Sequence, residues 1–230
     1  MPHPVEAVLL DMDGTQLITE PRNRRVNEVT ARKHGGRIDK SDWNFLAGTS
    51  EKIIWTHLRD TFNNFAISEK DYIAEVEKGF ALDQAGVVLR PGMQEIFDRA
   101  ADRGIIVATV TNSSHQIAIS SLRNNALDGK MSLIITKDDV LNAGLKTKPS
   151  ADPYLLAAQR LGVNIKNCMI YEDSKNGVRS GVAALGDVSA SFGRVIQIID
   201  PDDHAQFEPT AHAHVYDRDQ LIAATYKFIR

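Results

Sequence analysis

The stretch VLLDMDGTQ, Val8 to Gln16, runs an apolar segment into two carboxylates, Asp11 and Asp13, and then a glycine. Acids beside a buried run are costly unless something pairs with them. Either they cap the next turn, or they hold a cation and do chemistry. Further along, GIIVATV ends on Thr111-Asn112-Ser113. KTKPSADPYLLAA carries Lys148 ahead of Pro149, and NCMIY runs into Glu172-Asp173-Ser174.

That inventory suits phosphoryl transfer. A phosphomonoester brings about two negative charges at neutral pH, so a carboxylate approaches it only with help from a cation. Magnesium accepts carboxylate oxygens, a backbone carbonyl and waters. A lysine, a hydroxyl and backbone N–H groups offset the charge spread over the phosphoryl oxygens. One aspartate can act as a covalent nucleophile, and a second can protonate the leaving oxygen and then activate water.

These residues need a scaffold that brings four distant segments together. AVLL, GIIVATV, SLIIT and NCMIY read as short buried strands, with RVIQIID as a further candidate. Between them lie segments of helical period. GMQEIFDRAADRG stops at Gly104, and SADPYLLAAQRLGV starts with Ser150 as N-cap and ends at Gly162. SKNGVRSGVAALG is a shorter candidate. The alternation predicts an α/β fold with an open parallel sheet, whose crevice lies at the carboxyl ends of the strands. Residues 18–88 differ. RVNEVTARKHGG, SEKIIWTHLRDTF and SEKDYIAEVEKGFALDQAG read as amphipathic helices with no convincing strand among them. The expected organisation is an α/β core of residues 1–17 and 89–230 with an inserted all-helical cap at 18–88.

DMDGT, TVTNSS, KPSADPYLLAA and YEDSKNGVRSG, in this order, resemble the motifs of the haloacid dehalogenase-like hydrolase superfamily. The resemblance covers the Rossmann-like core. The helical insertion is similar to the cap of the subgroup with β-phosphoglucomutase and phosphoglycolate phosphatase. It implies Asp11 as nucleophile and Asp13 as general acid/base. It implies Thr111 and Asn112 as phosphoryl ligands, with Lys148 neutralising the phosphoryl group and orienting Asp11. Mg²⁺ would be held by Asp11, the Asp13 carbonyl and Asp173, with Glu172 assisting. FLAGTSEKIIW falls where those relatives carry a substrate-contacting cap loop, which makes Thr49, Ser50 and Lys52 candidates. The implied activity is hydrolysis of a small phosphomonoester, a sugar phosphate or a phosphoglycolate-like acid. A phosphosugar mutase is the alternative; its relatives carry a histidine at the cap entry, where TEPRNRR has none. A non-catalytic binder of a phosphorylated ligand is a third reading. Gln16 departs from the usual leucine of the first motif. Lys146 stands beside Lys148 as an alternative cation.

Other features read more plainly. Arg22 to Arg25, RNRR, look like a solvated charge run rather than a substrate clamp. Trp43 and Trp55 read as cap core. His204, His212 and His214 lack the spacing of a four-ligand zinc site. Cys168 is the only cysteine, sits in an apolar run, and excludes an intramolecular disulfide. A net charge of −3 gives no sign of a nucleic-acid partner. No run approaches the roughly 18 apolar residues of a membrane span. The expectation is a cytoplasmic enzyme, monomer or homodimer, acting on a small molecule.

Overall fold

The computed structural model describes residues 5–46, 49–189, 191–200 and 206–229. The strands are β1 (Ala7–Leu10), β2 (Leu17–Ile18), β3 (Val88–Leu89), β4 (Ile106–Val110), β5 (Leu133–Ile135), β6 (Cys168–Glu172), β7 (Arg194–Ile198) and β8 (Ala213–Val215). Six of them form one parallel sheet in the order β5-β4-β1-β6-β7-β8. This is a Rossmann-like α/β sheet.

β1 shows why an apolar run makes a central strand. Its neighbours are β4 and β6, so both edges are hydrogen-bonded. Alternate side chains face opposite layers. Val8 and Leu10 join one apolar cluster, Ala7 and Leu9 the other. Helices α5 (Met93–Asp102), α6 (His115–Asn124), α7 (Lys137–Asn142), α8 (Asp152–Leu161), α9 (Lys175–Leu185) and α10 (Arg218–Phe228) complete this part of the chain. Cys168 lies in the second cluster, and burial pushes its thiol up to about 12.

Between β2 and β3 come α1 (Glu20–Lys33), α2 (Lys40–Leu46), α3 (Glu51–Thr61) and α4 (Glu69–Leu82). α4 begins where the Ser68 hydroxyl accepts from the Asp71 amide. Val76 and Tyr72 of α4, Trp43 of α2 and Ile54 and Leu58 of α3 share an apolar cluster with β1. Trp55 is partly buried against it and donates to the Ile67 carbonyl. α2 was not among the expected helices. It is short, and its start is set by Asp39, whose carboxylate accepts from the Ser41 and Asp42 amides.

Two further differences concern short strands. β2 and β3 pair antiparallel, Leu17 with Leu89 and Ile18 with Val88, at the two ends of the helical insertion. β8 lies in the segment with His212 and His214. His212 Nδ1 accepts from the Val195 amide, and His214 stacks on Phe207 and meets the Glu208 carbonyl. Both histidines are taken by structure; His204 lies outside the described residues. Ser150 does not cap α8. That helix starts at Asp152 after an N-cap at Ala151, and the Ser150 hydroxyl accepts from the Asp152 amide.

Candidate active site

The sheet's register places its acids and its lysine at one end. Asp11 follows β1, Thr111 follows β4, and Glu172 closes β6 with Asp173 next. Lys148 reaches in from the loop before α8. Its ammonium donates to Asp11 at 2.6 Å, to the Val110 carbonyl at 2.7 Å and to Glu172 at 2.5 Å. Lys148 is 7% exposed. Lys146 is exposed, so the choice between the two lysines falls to Lys148. Burial alone would lower the Lys148 pKa, but Asp11 and Glu172 raise it above the ordinary value, so it stays charged.

Glu172 is fully buried, and both of its oxygens are engaged. One accepts from Lys148 and from the Tyr154 hydroxyl at 2.7 Å; the other accepts from the Asp173 amide and Ser174. A side chain at position 177 would collide with it, a Cβ there falling 1.9 Å from its carboxyl carbon, so Gly177 is the residue that lets α9 pass. Ser174 caps α9 by accepting from the Gly177 amide. Asp173 accepts from Thr15 at 3.1 Å. Gly14, at φ +76°, lies so close that an added Cβ would sit 2.0 Å from an Asp173 oxygen.

Three carboxylates, Asp11, Glu172 and Asp173, offer oxygens within 4.8 Å of one another. One ammonium offsets only part of that charge. Burial, with Glu172 beside it, holds Asp11 well above the usual carboxylate range. Burial and Glu172 likewise push Asp173 up to about 7, against the pull of Arg90 and Thr15. An all-oxygen cluster with uncompensated negative charge fits a hard divalent cation such as Mg²⁺. Asp11 and Asp173 have the freer oxygens; Glu172 is already saturated by protein donors.

Asp13, two residues beyond Asp11, is held by two donors. One oxygen accepts from Ser113 at 2.7 Å, the other from Arg22 at 3.1 Å. Thr111 is 2% exposed, and its hydroxyl accepts from the Ser113 amide. The Asn112 side chain is occupied by Lys148: its oxygen accepts from the Lys148 amide and its nitrogen donates to the Lys148 carbonyl. Gln16, in place of leucine, is fully buried; its amide nitrogen donates to Thr109 at 2.9 Å, while its amide oxygen is buried without a hydrogen-bond partner.

The cap-loop candidates have local partners or roles. Thr49 donates to the Leu46 carbonyl, and Ser50 is the N-cap residue of α3. Lys52 is 66% exposed and lies 3.3 Å from Glu69. For its neighbour Glu51, burial raises the carboxyl pKa, a backbone hydrogen bond and Lys137 oppose this, and Glu77 and, least, Asp13 add to it. Ala47 and Gly48 of that loop lie outside the described residues. Lys137 of α7 pairs with Glu77 of α4, in the helical insertion, at 2.6 Å.

Several site residues escaped the sequence reading. Tyr154 had a weak signal, a tyrosine on the buried face of a helix whose hydroxyl must find a partner. Ser113 had none, because its partner Asp13 lies a hundred residues away, and Arg22 had none because the groups that bury it, Phe80 and Ser121, are distant in sequence. Arg22 is the clear correction. It is 1% exposed, so it does not belong to a solvated run, although Arg24 and Arg25 do pair at the surface with Glu28 and Asp83.

A parallel sheet with acids and a buried lysine at its carboxyl edge defines a haloacid dehalogenase-like site. The family model for haloacid dehalogenase-like hydrolases matches residues 5–184. This chain belongs to that family of hydrolases. A hexitol phosphatase A from Escherichia coli is 31% identical over 179 residues, covering 76% of this chain and 78% of that protein. A phosphorylated carbohydrates phosphatase from Thermotoga maritima is 26% identical, covering 78% of this chain and 82% of the relative. Among solved structures, CbbY from Rhodobacter sphaeroides in complex with phosphate matches with a TM-score of 0.76 at 24% identity, over 94% of this chain and 96% of that one.

Proposed function

We propose that this chain is a Mg²⁺-dependent phosphatase of a small organic phosphomonoester, a sugar phosphate or a phosphoglycolate-like acid, working through an aspartyl-phosphate. The observation that carries it is the Lys148 ammonium held between Asp11 and Glu172. It fixes one Asp11 oxygen, and the other would be the nucleophile. The phosphatase names of the relatives support the same reaction class.

Bound Mg²⁺ would offset the charge of the incoming phosphate and lower the repulsion toward Asp11. Asp11 attacks phosphorus as the bond to the leaving oxygen breaks, and Asp13 gives its proton to that oxygen. Asp13, now a carboxylate, takes a proton from water. The water oxygen bonds to phosphorus, the Asp11–phosphorus bond breaks, and inorganic phosphate leaves. Thr111 and Lys148 border the transferring group and offset its charge. The residues α1–α4, the proposed cap over the core, would read the leaving group and exclude bulk water.

The test is phosphate release from a panel of sugar phosphates and phosphoglycolate, with Mg²⁺ or with EDTA, beside Asp11→Asn. Metal-dependent release lost in the variant supports the reading. Release from none of them by folded protein would overturn it.

A further inference from the structure

We propose that Arg22 is the positioning residue of Asp13 and that Asn23 orients Arg22 for this task. This rests on reading Asp13 as the acid/base group. Arg22 stands on α1, in the helical insertion, yet its guanidinium is buried at the edge of the site. Each of its nitrogens is engaged. Nη2 donates to Asp13 at 3.1 Å, and Nη1 donates to Ser121 at 2.9 Å and toward the Phe80 carbonyl at 3.4 Å. Nε and Nη2 both donate to the Asn23 side-chain oxygen, at 3.1 and 2.9 Å. The guanidinium carbon lies 5.0 Å from the centre of the Phe80 ring.

A buried guanidinium needs a carboxylate. Among the described residues, the only ion pair of Arg22 is with Asp13. The nearby Asp83 is taken by a forked pair from Arg25. Ser113 holds the second Asp13 oxygen. Two donors on different elements, α1 and the loop after β4, therefore fix the plane of one carboxylate. Arg22 itself cannot swing, because Ser121 on α6, Phe80 on α4 and Asn23 hold its fork. A purely structural ion pair would need a carboxylate anywhere nearby; this one uses the carboxylate that must meet the leaving oxygen. Lysine offers a point charge with no fork, so it cannot satisfy Ser121, Asn23 and Asp13 together.

The experiment compares two probes, p-nitrophenyl phosphate and glucose 6-phosphate, by kcat/KM with Mg²⁺. Nitrophenolate departs without a proton, whereas the sugar alkoxide needs one. Asp13→Asn must lose about tenfold more on glucose 6-phosphate than on p-nitrophenyl phosphate if Asp13 is the acid. Arg22→Met is expected to show the same leaving-group bias, and to add nothing to the loss in the Asp13→Asn background. Asn23→Ala, which never touches Asp13, is expected to show a smaller bias of the same sign. Arg22→Lys gives the same readout if the methionine variant fails to fold. Equal losses on both probes for the Arg22 variants, or losses that multiply with Asp13→Asn, would overturn the proposal while leaving Asp13 in place. A missing bias in Asp13→Asn itself would overturn the acid reading.

Discussion

Arg90 donates from both Nε and Nη2 to the carbonyl oxygen of Gly14, at 2.9 and 2.5 Å. The same guanidinium forks onto Asp200 at 2.6 and 2.9 Å. Arg90 follows β3, so the return from the helical insertion clasps the turn that carries Asp13, where Gly14 lies close against Asp173. Asp200 is half exposed and Gly14 is not replaceable by its own conformation, so the two ends of the clasp differ in weight. Arg90→Gln should cost about 1–3 kcal/mol by stranding a carbonyl, whereas Asp200→Asn should cost under about 1 kcal/mol. Urea unfolding of both variants checks this; equal losses would mean the Gly14 contact contributes nothing.

Removing Lys148 leaves Asp11 and Glu172 buried with no cation. Lys148→Met is expected to lower stability by about 3–5 kcal/mol at pH 8 and turnover by about 10²–10³. Adding Glu172→Gln should return much of the stability and none of the turnover. Denaturation and phosphate release measured together separate the structural and chemical roles. Lys146→Ala, an exposed change, serves as the comparison and should stay within about twofold.

The titration of His212 gives a pH test away from the acidic cluster. Burial, with Arg194 nearby, lowers its pKa below the ordinary value, and its Nδ1 accepts a backbone N–H only when neutral. The folded pKa is depressed, so the unfolded chain binds the proton more readily. The contribution to stability is therefore present above about pH 6.5 and is lost as pH falls through the folded pKa. Thermal melts from pH 7.5 to 5 should show a steeper decline for the parent than for His212→Gln. Parallel curves would remove His212 as the cause.

The central strands were legible because strands buried on both faces read as unbroken apolar runs, as AVLL and CMIY do. The acids and the lysine were legible because each follows such a run or precedes a helix start. The β2–β3 pair was not, since two residues carry no period. β8 was hidden by His214 within it and His212 just before it, whose partners are backbone groups of the Glu208 turn and of β7. Arg22 was misread for a different reason. Local composition makes RNRR look solvated, and only contacts with Phe80 and Ser121, distant in sequence, bury its first member. Lys52 and Glu51 make the same point at finer scale. Successive positions on a helix diverge by about 100°, so adjacent residues in one loop motif face different surroundings.

The short β2–β3 ladder also bears on how the chain finds its shape. β1 must pair with β4 across roughly a hundred residues, Ala7 meeting Ile106, and closing so long a loop is entropically slow. Pairing Leu17 with Leu89 pinches the helical insertion off as a side loop. The stretch that β1 and β4 then have to close is a few short connections and one helix, α5. The four helices of the insertion can gather by local contacts while the ladder forms. A break in that two-residue ladder would therefore slow sheet assembly in step with the stability it removes.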